Sequence, residues 1–152
     1  YDEVNANAFT TGVYTLEWSW LDDRNSQFWI EINEDGSARS VWTADRNGDG
    51  IVTVSESQIN TGDWSNGFES LMINFYRNNG PDNYDPCASD KLEGCVIYNR
   101  RFWDIFAVDG DRFYVGHNHN FFDYLDDVQT RYILDARYWV RLDGAPIELV
   151  ED

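Results

Sequence analysis

Apolar and polar residues alternate with period two along most of the chain, the spacing that sends side chains to opposite faces of a strand. Tyr14, Leu16, Trp18 and Trp20 share one face of a first strand, opposite Val13, Thr15, Glu17 and Ser19. Phe28, Ile30 and Ile32 repeat the pattern and stop at Asn33-Glu34-Asp35-Gly36, a run of turn formers. In Ser37 to Thr43, Ala38, Ser40 and Trp42 alternate against Arg39, Val41 and Thr43. Leu71, Ile73 and Phe75 form another set. Val96 to Val108 leads through Asp109-Gly110, a two-residue hairpin signal, into Arg112 to Gly116. In the last strand Tyr132, Leu134, Ala136, Tyr138, Val140 and Leu142 read as the core face. They alternate with Arg131, Ile133, Asp135, Arg137, Trp139 and Arg141. Only Asn120 to Val128 has the spacing for a helical turn or two.

Counting weaker pieces at 37–43 and 51–55, this predicts an all-β fold: an antiparallel up-and-down β-barrel of about eight strands, or as the alternative a β-sandwich. Short sequential hairpins favour the barrel, because Greek-key sandwiches need longer crossovers. Closure also removes the unpaired edges that so aromatic a chain would otherwise expose. A length of 152 residues suits one domain with its own core. The pattern sets it at 11–143, with an N-terminal arm or linker at 1–10 and a C-terminal tail at 144–152.

Between two of these strands lies Asp45-Arg46-Asn47-Gly48-Asp49-Gly50-Ile51-Val52-Thr53-Val54-Ser55-Glu56, which fits the calcium-loop pattern of the EF-hand. Asp45, Asn47, Asp49 and Glu56 would give side-chain oxygens, Ile51 its carbonyl, and Thr53 a hydroxyl or a bridging water. The loop resembles those of dockerins and other secreted calcium modules. Its flanks lack helical spacing, and an EF-hand switch works by moving two helices apart. The expected role of calcium is therefore a structural staple, not a signal.

Cys87 and Cys95 sit eight positions apart in a loop rich in turn formers, with no His beside them to suggest a metal site. They are expected to form a disulfide, which implies an oxidising compartment: a secreted, extracellular or periplasmic setting. No apolar run is long enough to span a membrane, and Tyr1 in place of Met suggests a mature form. Twenty-eight acidic against eleven basic residues give a net charge of −17, which argues against nucleic acid and anionic membranes as partners.

Over residues 11 to 143 the chain resembles the lipocalin-like bacterial barrels of the calycin type. The resemblance rests on the opening strand Gly12-Val13-Tyr14-Thr15-Leu16-Glu17-Trp18 and on the Asp-Gly turn between Phe28 and Trp42. Gly62-Asp63-Trp64-Ser65 and the closing Tyr138-Trp139-Val140-Arg141 complete it. Such a likeness implies a barrel with an apolar cavity and leaves the ligand open.

Function reads most readily as binding or adhesion. Trp29, Trp103 and Trp139 oppose the core set on their strands, and exposed rings of this kind stack on sugars, so a glycan or small apolar ligand is expected. A second class is a module of a surface assembly or fibre, with self-association or neighbouring domains as partners. A third is an enzyme such as a small polysaccharide lyase. His117, His119 and Tyr114 with Arg100 and Arg101 would make its acid–base set, or Asp123 would join the histidines on a transition metal.

Overall fold

The computed structural model describes residues 11–17, 26–45, 48, 49, 51–66, 70–78, 85–88, 92–123 and 129–152; for 17, 26, 70, 117–123 and 129–137 it describes backbone only. Eight long strands carry the architecture: β1 (Gly12–Glu17), β2 (Ser26–Ile32), β3 (Ser37–Ala44), β5 (Ser57–Asn66), β6 (Ser70–Asn78), β8 (Cys95–Asp109), β9 (Arg112–Asp123) and β10 (Gln129–Leu142). Three two-residue strands, β4 (Val52–Thr53), β7 (Pro86–Cys87) and β11 (Leu149–Val150), complete the order. Each long strand pairs antiparallel with its neighbours, β5 meets β6, and β1 meets β10, so the sheet closes into an up-and-down barrel.

Local chemistry explains the tight connections. At the β2–β3 turn Asp35 Oδ1 accepts from Ser37 N at 2.8 Å and from its hydroxyl at 2.6 Å, and Gly36 takes a φ of 87°. These bonds to Ser37 hold the Asp35 carboxyl below its ordinary pKa. The β8–β9 hairpin turns at Gly110, φ 60°, where the Asp-Gly pair predicts it.

Two predicted elements differ. The piece at 51–55 is not a barrel strand: Thr53 and Glu56 form a capping box that starts a 3-10 turn at Val54–Glu56. The missing wall is β5, whose residues show no clean alternation. Asn120 to Asp123 continue β9 instead of turning helical; 124–128 lie outside the described residues.

The inner face is filled with rings. Trp103 and Trp139 lie 4.3 Å apart between centroids at 30°, and Tyr14 meets Phe113 edge-on at 5.5 Å. Phe28, Ile30, Leu71, Ile73 and Phe75 close around them. The predicted exposure of Trp29, Trp103 and Trp139 is therefore corrected: all three are 0% exposed, whereas Tyr138 is 43% exposed. On β10 the faces are exchanged. Both parities of that strand carry apolar residues, and register decides: Trp139 stands opposite Leu16 and Phe113, while Tyr138 stands opposite Tyr114.

Trp29 is buried on the outer face, beside Val41 of β3. Val52 in the β3–β5 connection is buried as well. β4 in turn pairs in parallel with β11, Leu149 opposite Val52, and Ser55 N donates to Asp152 Oδ1 at 3.0 Å. The hydrogen bonds from Ser55 hold the Asp152 carboxyl below its ordinary pKa.

Cys87 and Cys95 are disulfide-bonded, with Cα atoms 6.1 Å apart. Cys87 faces Tyr76 and Cys95 faces Asn78, so the bridge joins β7 to β8 across β6. A closed loop of this length removes roughly 2.5 kcal/mol of unfolded-chain entropy. Among the described residues no helix is long and apolar enough to cross a membrane.

Candidate functional site

Antiparallel alternation sorts the connections by end. The tight β2–β3 and β8–β9 turns lie at one rim of the barrel. The β3–β5 connection, with the calcium-type loop, and the β6–β8 connection, with the disulfide, both leave from the other. At this second rim the inner face changes character. On β8 the inward positions run Ile105, Trp103, Arg101, Asn99, and the facing strands contribute Ser40, Gln58 and Asn60.

A cavity of about 160 Å³ opens there, lined by Phe28, Ser40, Trp42, Gln58, Asn60, Tyr98, Asn99 and Arg101. At ~30 Å³ per water it has room for about five, or for one small ring. Trp42 is 37% exposed and packs against Phe28 at 6.0 Å between centroids, so it presents a ring at the edge of the opening. Asn60 Nδ2 donates to Ser40 Oγ at 3.3 Å, and Asn60 Oδ1 accepts from Arg77 Nη2 at 2.8 Å. The Arg77 guanidinium lies 4.5 Å over the Tyr98 ring.

Arg101 is set between two rings, its Cζ 5.6 Å from the centroids of Phe28 and of Phe75. Its Nε donates to Asn99 Oδ1 at 3.2 Å. Asn99 is 2% exposed, and among the described residues its Nδ2 has no hydrogen-bond partner. A buried amide donor left unpaired costs about 1–3 kcal/mol.

The predicted residues divide as follows. Of the calcium-type set, Asn47 lies outside the described residues. Asp45 Oδ1 accepts from Gly48 N at 2.9 Å and Asp49 Oδ1 from Ile51 N at 2.8 Å. Glu56 Oε1 accepts from Thr53 N at 3.2 Å and from the Thr53 hydroxyl at 3.1 Å. Among the described residues no three His, Cys, Asp or Glu side chains are grouped as a metal site. The donor chemistry still suits calcium: these are hard oxygens, and a carboxylate has about four lone-pair sites, so one turn bond does not exclude an ion.

The acid–base set is split by the pleat. Tyr114 stands on the outer face, packed 5.0 Å from Tyr138, and Arg100 Nε donates outside the barrel to Asn74 Oδ1 at 2.8 Å. His117 occupies the ladder position opposite Trp103, and His119 the position opposite Arg101. The side chains of His117, His119 and Asp123 lie outside those described.

Asn99, Gln58, Asn60, Ser40 and Trp42 do not stand out in the sequence. The available signal is that the inward stripes of β5 and β8 carry Gln58 and Asn60, and Asn99 and Arg101, toward the same rim. Compared with protein-family models, with curated proteins and with solved structures, the chain matches none.

Proposed function

We propose that this chain is an exported binding barrel that takes a sugar-sized polar ring in the cavity at its long-loop rim. The observation that carries the reading is the buried Asn99 amide at the cavity wall. Trp42 and Tyr98 would stack on the ring face, while Gln58, Asn60, Ser40 and Asn99 meet its hydroxyls. The apolar half of the interior is packed with Trp103, Trp139 and Phe113, which favours a polar ligand over a lipid. The disulfide supports an oxidising compartment.

The exposed Tyr114–Tyr138 pair, with Arg112 4.5 Å over Tyr138, favours a second reading, adhesion through the outer face. One titration separates the two. Against a panel of mono- and oligosaccharides followed by calorimetry, Trp42→Ala should weaken binding by about 1–3 kcal/mol, the loss of one aromatic anchor. Tyr138→Ala should leave it unchanged. The opposite result moves the site to the outer face, and no binding by the parent protein removes both.

Calcium in the 45–56 loop belongs to the same reading, as the ion that would hold the long connection at this rim. Asp45, Asn47, Asp49, Ile51, Thr53 and Glu56 would hold it. Millimolar calcium should raise the melting temperature by several degrees through native-state binding, and Glu56→Gln should abolish the rise. Identical melting curves in calcium and in chelator would remove the ion from the account.

A further inference from the structure

We infer that the ligand carries a carboxylate, and that the cavity is built for an acidic sugar of the uronic-acid class. This rests on the proposed cavity site. The chain holds 28 acidic residues, yet the described lining contributes no carboxylate. What it contributes are donors: the Arg101 guanidinium, the Asn99 amide, and the amides of Gln58 and Asn60, with Arg77 bound behind Asn60.

Arg101 and Asn99 act as one unit. The bond from Arg101 Nε to Asn99 Oδ1 ties the guanidinium to the amide and leaves Nδ2, beside the cavity, as the donor without a partner among the described residues. Phe28 and Phe75 flank the guanidinium, each with its ring centroid 5.6 Å from Cζ. A carboxylate placed there would accept from Nδ2 and from the guanidinium together. Hydrogen bonds between charged groups are roughly twice as strong as neutral ones. A neutral hydroxyl would satisfy the amide but forgo the charge-assisted bond to the guanidinium. The cavity therefore discriminates by charge at one corner and by ring stacking at the other.

The test uses the intact chain and calorimetric titration with glucuronate, its methyl ester, glucose and benzoate. Glucuronate should bind at least about tenfold more tightly than the ester, which keeps the shape and loses the charge. Asn99→Asp, nearly isosteric, should abolish that preference by repulsion, and Arg101→Gln should abolish it by removing the cation. Equal affinity for the acid and the ester overturns the carboxylate inference and leaves sugar binding standing. Benzoate binding as tightly as glucuronate upholds the carboxylate corner and overturns the sugar. If none of the four binds, the cavity reading and the inference fall together.

Discussion

Trp139→Ala is expected to destabilise the protein by about 3–5 kcal/mol, and Tyr138→Ala, one residue earlier, by about 1 kcal/mol or less. Trp139 is 0% exposed, stacked on Trp103 and 6.0 Å from Phe28 between ring centroids. Removing it empties the centre of the barrel, where neighbours on three strands are held by their own ladders and cannot collapse inward. Tyr138 gives up only a half-exposed contact with Tyr114 and the Arg112 cation. Denaturant unfolding of both variants checks the order. If Tyr138→Ala proves the costlier, the register of β10 against β1 and β9 is wrong by one residue, since a one-residue slip inverts every face.

Gly62→Ala should be nearly as damaging, costing about 3 kcal/mol or more, at the upper end for overpacking. Gly62 sits where β5 pairs with β3 and β6 at once, opposite Ala38 and Phe75. A Cβ added there would stand 1.7 Å from the Asn74 carbonyl oxygen and 2.9 Å from Phe75 Cα. Both are backbone atoms, so no rotamer change relieves the contact; β5 and β6 must separate. Gly144→Ala, which meets open space, serves as the control and should cost almost nothing. A Gly62→Ala protein that unfolds within about 1 kcal/mol of the parent would show that the two strands do not approach so closely.

Much of the wall was legible because local signals and global pattern agreed. Phe28, Ile30 and Ile32 with the Asp35-Gly36 turn specify β2, its hairpin and part of β3 within a dozen or so residues of chain, a separation typical of turn-coded structure. The disulfide could be read from the loop setting of its cysteines. Legibility failed wherever partners decide. On β10 Trp139 competes with Tyr138 and Val140 for the interior, and only the strands on either side settle it. At Val52 and Val54, alternation suggested a strand, but the Thr53–Glu56 capping box won over it. The cavity was least legible of all. Ser40, Gln58, Asn60, Asn99 and Arg101 are ordinary polar residues on three different strands, and only closure of the barrel turns them toward one point. Their chemistry is a property of the register, not of any segment.

The short parallel pairing of β4 with β11 has a mechanical meaning. Tension applied at residue 152 meets the Asp152–Ser55 hydrogen bond and the Leu149–Val52 and Val150–Thr53 contacts before it reaches any barrel ladder. Two residue pairs yield far more easily than the twelve that join β9 to β10. Pulled from that end, the tail would detach from β4 first, while the barrel ladders stayed paired. The tail pairing would thus act as a short fastening that gives way ahead of the barrel when load comes from residue 152.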